Sequence, residues 1–153
     1  MKKLLLLMAV AIMGIGTINA QKNAIAAGVN LGFATDIKTL DLGAKVQYSF
    51  TDAIRGEIAF NYFFEKNNVS FWDLEATAHY LFNVAEKFKL YPLAGFAYAH
   101  ASAFGHGDGD CGFNIGAGGE YALTEKLSLG LEIKYQFSGL DQALINLGVA
   151  YKF

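Results

Sequence analysis

The sequence predicts an all-β fold, a closed antiparallel eight-stranded transmembrane β-barrel with up-and-down meander order. Three observations carry the prediction. After residue 20 the chain alternates apolar and polar residues with period two through eight segments. These run about 9–12 residues, the length a tilted strand needs to cross a bilayer and roughly twice a typical soluble strand. Their apolar face gathers aromatic residues at its two ends and aliphatic ones between, the distribution of a wall immersed in lipid.

Composition agrees. The 153 residues are 54% hydrophobic and 14% aromatic, with 17 Gly and a single Pro, which leans towards sheet. The first twenty residues form a separate unit. Lys2 and Lys3 make a positive start, Leu4 to Ile12 an apolar stretch, and Ile18-Asn19-Ala20 a small-residue cleavage site. Residues 1–20 are therefore expected to be a signal peptide, and residues 21–153 one barrel domain. Without Lys2 and Lys3 the charge count falls from 12 basic against 14 acidic to 10 against 14. That mild acidity, with no block of like charge, excludes nucleic acid as an expected partner. The one cysteine, Cys111, cannot close an intramolecular disulfide. Beyond the leader, no apolar run approaches the roughly 18 residues of a spanning helix.

The segments follow in order. Ile25 to Phe33 sets Val29, Leu31 and Phe33 against Gly28, Asn30 and Gly32. Leu40 to Phe50 sets Leu42, Val46 and Tyr48 against Asp41, Lys45 and Gln47. Ile54 to Phe64 sets Ile58, Phe60 and Tyr62 against Arg55, Glu57 and Asn61. Trp72 to Phe82 sets Leu74, Ala76 and Tyr80 against Asp73, Glu75, Thr77 and His79. Phe88 to Ala101 is apolar or small on both faces, so its phase stays open, with Phe96 and Tyr98 placed on the lipid side. Gly112 to Ala122 sets Phe113, Ile115 and Tyr121 against Asn114 and Glu120. Leu127 to Phe137 sets Leu129, Leu131, Ile133 and Tyr135 against Gly130, Glu132, Lys134 and Gln136. The last segment sets Ala143, Ile145, Leu147, Val149, Tyr151 and Phe153 against Gln142, Asn146 and Lys152. Three connections are short, Thr51-Asp52-Ala53, Asn83 to Lys87 and Leu123 to Lys126. Ser102 to Asp110 is expected to be the one long, flexible, glycine-rich loop.

With strands numbered alternately up and down, one aromatic girdle collects Phe33, Tyr62, Phe64, Trp72, Tyr98, Phe113, Tyr135 and Phe137. The other collects Tyr48, Phe50, Tyr80, Phe82, Phe88, Tyr121, Tyr151 and Phe153. The polar face would then line the lumen with Asp41, Lys45, Arg55, Glu57, Asp73, Glu75, Glu120, Glu132, Lys134 and Lys152. A bore of eight strands is just wide enough for side chains to fill it. Charges of both signs in so narrow a space are expected to pair as a plug. A pore would favour one sign along a continuous path, yet Lys45 and Lys134 interrupt the acidic row at mid-height.

The run Gly116-Ala117-Gly118-Gly119-Glu120-Tyr121-Ala122-Leu123-Thr124-Glu125-Lys126-Leu127-Ser128-Leu129-Gly130 and the closing Gly148-Val149-Ala150-Tyr151-Lys152-Phe153 resemble the small outer-membrane β-barrel proteins of the OmpX, OmpA-barrel and opacity-protein type. The resemblance covers the whole mature chain. It implies a bacterial outer membrane, termini and short turns on the periplasmic side, and outer-membrane lipid around a monomer. Val149, Tyr151 and the terminal Phe153 resemble the signal read by the barrel-assembly machinery. Family members that bind host surfaces carry long outer loops, which this chain lacks. A structural or surface-interaction role is thus expected, with a narrow solute channel and a lipid-modifying enzyme as the alternatives.

No catalytic or cofactor constellation is expected. The outer-rim candidates His100, His106, Ser70, Ser102, Asp108 and Asp110 read as wet loop residues, without the spacing of a nucleophile, base and orienting acid. His106-Gly107-Asp108-Gly109-Asp110-Cys111 holds ligand-type side chains but matches neither a calcium loop nor a zinc spacing. The resemblance generates one prediction. Deleting Phe153 should leave export intact and reduce the barrel recovered in the outer-membrane fraction; undiminished insertion would remove the assembly role of the last strand.

Overall fold

The computed structural model describes residues 23–66, 68–138 and 141–153; the expected signal peptide lies outside them. The strands are β1 (Ile25–Ala34), β2 (Thr39–Ser49), β3 (Ile54–Lys66), β4 (Val69–Tyr80), β5 (Phe82–Asn83), β6 (Phe88–Ala103), β7 (His106–Ala122), β8 (Leu127–Phe137) and β9 (Gln142–Lys152). All neighbours pair antiparallel in meander order, and β9 returns to β1 with Val29 opposite Val149. The sheet closes because β4 also pairs with β6.

The fourth predicted segment is divided into two strands. His79 stands opposite Leu93 and Phe82 opposite Leu90, so β4 and β5 share one register on β6 and form one stave of an eight-staved wall. Their interruption has a cause in the sequence. That register puts Tyr80 opposite Pro92, which has no N–H to give the ladder. Leu81 turns its own N–H to Ala53 O at 2.7 Å on the β3 side.

The rim that carries both termini is built from one repeated turn. In Thr51-Asp52-Ala53, Thr51 Oγ1 accepts from Ala53 N at 3.2 Å and Ile54 N at 2.9 Å. In Thr124-Glu125-Lys126, Thr124 Oγ1 does the same for Lys126 N at 3.3 Å and Leu127 N at 2.9 Å. The Ala85-Glu86-Lys87 turn keeps the backbone bonds, with Val84 N and Ala85 N each 3.1 Å from Phe88 O, but has no hydroxyl. Such hydroxyl-to-backbone bonds satisfy groups that a turn removes from the ladder.

The packing is inverted relative to a soluble domain. Ile58 is 61% exposed, Val29 58% and Ile133 56%, while Asp73, Glu75 and Gln136 are fully buried. So large an exposed apolar surface needs a nonaqueous neighbour. Girdle residues such as Phe33, Tyr48, Tyr135 and Tyr151 project outward, and Tyr62, Trp72, Phe88 and Phe153 are half-buried at the wall. Two further aromatics, Phe60 and Phe96, lie one step towards the middle from Tyr62 and Tyr98 and broaden the upper girdle. The open phase of β6 is fixed: Phe96 and Tyr98 face out, Tyr91 and Leu93 in.

One expectation fails. Ser102 to Asp110 is not a flexible loop but the top of a regular hairpin, paired from Ala99–Asp110 to Ala103–His106. Its turn is Phe104-Gly105, with φ of 51° and 81°. Two positive φ values in a two-residue turn match the right-handed strand twist, and glycine takes the second without strain. The glycines read as loop signals are pleat positions: Gly107 lies against His100, Gly109 against Tyr98.

The face assignment is testable by charge insertion. Leu131 is half exposed on the outer wall. Leu131→Arg should cost roughly 2–4 kcal/mol in bilayers. Gly130→Arg should cost much less, because it lies on the lumen side with Glu120 opposite, and a Cβ there would meet its nearest atom only at 3.8 Å. Equal stability of Leu131→Arg and the parent would reverse the faces.

The lumen as candidate functional site

From the lower rim upward, the lumen has four layers. The first is a vestibule of about 860 Å³ open at the end that carries the termini, lined by Gln47, Arg55, Lys89, Glu120 and Lys152 among others. Lys152 is half-buried there and makes no ion pair with the described residues.

Above it lies a belt of paired charges. Arg55 Nη1 donates to Glu120 Oε2 at 2.6 Å. Arg55 Nε and Nη2 reach His79 Nδ1 at 3.3 and 3.1 Å. Because a guanidinium only donates, Nδ1 must be the acceptor, so His79 is neutral with its proton on Nε2, 3.0 Å from Thr77 Oγ1. The imidazole stacks on Tyr91 at 4.7 Å and 9°, and Arg55 sits 5.0 Å from the same ring centre. Gly118 makes this possible, since a Cβ there would lie 2.5 Å from the Tyr91 ring. Tyr91 Oη donates to Glu132 Oε1 at 2.7 Å. Lys45 Nζ lies 3.1 Å from Glu132 and 3.3 Å from Glu57, whose Oε2 also accepts from Gln47 at 2.6 Å. Lys134 pairs with Glu75, both buried.

The third layer is polar and only partly satisfied. Asn30 Nδ2 donates to Asn61 Oδ1 at 3.0 Å, and Asn61 Nδ2 to Asp73 Oδ1 at 2.8 Å. Both Asp41 oxygens, Asp73 Oδ2 and Glu75 Oε1 are buried without a hydrogen-bond partner. The fourth layer is apolar. Phe63 and Phe71, ring centres 4.6 Å apart, pack with Ala34, Ala99 and Leu144 under the upper rim.

The structure thus brings Lys45, Arg55, Glu57, Glu75, Glu120, Glu132 and Lys134 into four ion pairs. Asp41 and Asp73 join none, so the expectation of a fully paired set holds for only part of it. The cause is register: Lys134 reaches Glu75, and among the described residues no ion pair brings a second cation to either aspartate. Sequence reading put His79 on the polar face but gave it no part in the charge network, and missed Tyr91, on which it stacks; together they tie the belt. It also missed the Phe63–Phe71 cap, whose inward phase follows from the odd positions of β3 and β4 once Asn61 and Asp73 are placed inside.

Among the described residues, Glu57, His79 and Glu132 bring ligand atoms within 4.8 Å of one another. Lys45 already joins the two carboxylates, and both ring nitrogens of His79 are engaged. At the upper rim, alternation along β7 puts His106, Asp108 and Asp110 on one face and Cys111 on the other, where His100 packs on Trp72 at 5.4 Å. Ser70 stands opposite Ser102.

A family model described as outer membrane protein beta-barrel domain matches residues 8–153. A search of curated proteins finds no match. The N-terminal β-barrel domain of Pseudomonas aeruginosa OprF superposes with a TM-score of 0.76 at 20% identity, over 86% of this chain and 98% of that one. Neisserial surface protein A gives 0.69 at 16% identity, over 85% and 96%. Ail, the attachment invasion locus protein of Yersinia pestis, gives 0.58 at 21%, over 85% and 97%. Identities this low establish a shared fold.

Breaking one buried pair tests the energetics of the belt. Lys134→Met strands Glu75 and should destabilise the barrel by about 3–5 kcal/mol, read from urea unfolding in lipid. Adding Glu75→Leu should recover most of that loss, because an apolar pair of similar volume leaves no charge buried. A single variant as stable as the parent would show that water reaches Glu75.

Proposed function

Since the chain belongs to the outer membrane protein β-barrel domain family, we propose that it serves in the bacterial outer membrane as a closed monomeric barrel with a structural or surface-interaction role, and not as a channel or an enzyme. The observation that carries this reading is two seals in series across one bore. The ion-pair belt fills the middle of the lumen, and the Phe63–Phe71 cap closes the upper end. An ion crossing would have to displace buried paired charges and then pass an apolar constriction, two barriers of different chemistry.

The remaining features fit the same reading. Periplasmic termini put the vestibule on the periplasmic side and the β6–β7 hairpin outside the cell. That hairpin carries Phe104 at its tip, 82% exposed, and is the surface through which contact with another molecule would run. The upper-rim His, Ser and Asp residues divide between two faces of the hairpin, which argues against a nucleophile–base–acid set. Lipid surrounds the aliphatic band, and Val149 and Tyr151 on β9, with Phe153 just beyond it, form the row offered to the assembly machinery. The Tyr151 and Phe153 rings are 5.3 Å apart.

Planar-bilayer recording of the purified barrel tests the proposal. Wild-type protein should show no steady conductance above the bare bilayer. Large, long-lived openings would establish the solute-channel alternative in its place.

A further inference from the structure

We propose that the vestibule is a binding site for a compact anion carrying at least two charges, a phosphate or a dicarboxylate, held between Lys89 on β6 and Lys152 on β9. Both lysines line the cavity of about 860 Å³ that opens at the end carrying the termini. That volume falls within the roughly 300–1,000 Å³ of a small-ligand site. Both side chains are half-buried, and neither makes an ion pair with the described residues. The wall between them is kept clear by short side chains, Ala122 on β7 and, opposite it, Ser128 on β8. Deeper in, a Cβ on Gly130 would meet nothing closer than 3.8 Å, so the space continues inward. On the other side of Lys152 its partner on β1 is Ala26, also short and also lining the cavity.

The other charges of the cavity leave these two cations uncompensated. Arg55 and Glu120 at its floor satisfy one another at 2.6 Å. Glu86 and Lys87 are neighbours in one rim turn, and Glu125 and Lys126 in another; all four are exposed, so each pair cancels in water at the mouth. Asp52, in the third turn, is exposed as well. Lys89 and Lys152 thus set two positive charges inside against one negative charge at the edge. A cleft lined by one sign of charge, with low-dielectric walls, focuses its field on the space between. Lysine is a compact point charge with three rotatable donors, so it suits phosphate or carboxylate oxygens without requiring a planar, forked approach. This chemistry does not depend on which way the barrel faces; only the periplasm as source of the ligand rests on the orientation proposed above.

The test titrates the purified barrel, folded in a zwitterionic detergent, with sodium pyrophosphate and separately with disodium succinate, read by isothermal calorimetry at low ionic strength. At least one probe should bind saturably, one per barrel; pyrophosphate assigns a phosphate ligand and succinate a dicarboxylate. Lys89→Gln and Lys152→Gln should each weaken binding about tenfold or more, since each removes one charge-assisted contact. The double variant should abolish it. Lys38→Gln, at the opposite rim, changes the net charge equally and should bind like the parent. Ala26→Phe keeps every charge and fills the space beside Lys152, so it should lose binding too, which diffuse attraction to lysines would not. Should Ala26→Phe fail to fold, the lysine variants decide. No saturable binding of either probe by the parent would overturn the proposal, as would parent-like binding by the lysine double variant or by Ala26→Phe. Saturable binding in a barrel that also conducts would support the site and remove only the sealed-lumen reading.

Discussion

The structure depends on the rule that a backbone group in hydrocarbon has no water to bond. Each N–H and C=O within the membrane must find a partner in the chain, and an open sheet edge cannot exist there. Pairing of β1 with β9 is therefore the constraint from which the rest follows. Eight staves closed on themselves give a bore that side chains alone can fill. The outward half of the residues must suit lipid, and the inward half must satisfy itself. Ion pairs, stacked rings and an aromatic cap are the ways this sequence meets that second demand.

The interior divides by height into regions with different energetics. In the belt, Glu132 is served by Lys45 and Tyr91 and Glu57 by Lys45 and Gln47, each a cation and a neutral donor, while Glu120 has Arg55 and Glu75 has Lys134. Such a set contributes little net stability against an apolar filling, but it is strongly position-dependent, because a register slip would strand every charge at once. The cap contributes ordinary apolar burial where the bore meets the upper rim. The polar layer between them carries the least satisfied groups, and the energetic demand of the lumen concentrates there.

Period-two alternation made the wall legible: on Leu127 to Phe137, Leu131 and Glu132 could be given opposite faces from the sequence alone, and β8 has those bounds. Alternation failed as a guide where its signal vanished. On β6 both faces are apolar, so Tyr91 could not be read as a lumen residue until its neighbours Gly118 and His79 were in place. Phe63 and Phe71 were hidden because a barrel interior was expected to be polar throughout. In residues 106–111, glycine marks a turn only by statistical habit. There it makes room for Tyr98 and His100 within a paired strand, which no single-sequence period reveals. Partners among the charges depend on strand stagger, so the identities of the lumen residues were accessible and the partner of Lys134 could be narrowed to Glu75 or Glu132, between which the register selects Glu75.

The ladder between β1 and β9 has a kinetic meaning as well. It joins the first described strand to the last, and the Phe153 N–H bonds Ile25 O at 2.9 Å. Every other neighbouring pair is a local hairpin that can form as soon as its two strands exist. This one requires the whole length of chain, and contacts of such sequence separation form slowly because the intervening loop must be ordered first. Until it forms, β1 and β9 both present unpaired edges. That period of open edge is the interval in which the chain can pair with the wrong strand, so sealing the ladder ends a hazard that the finished wall no longer presents.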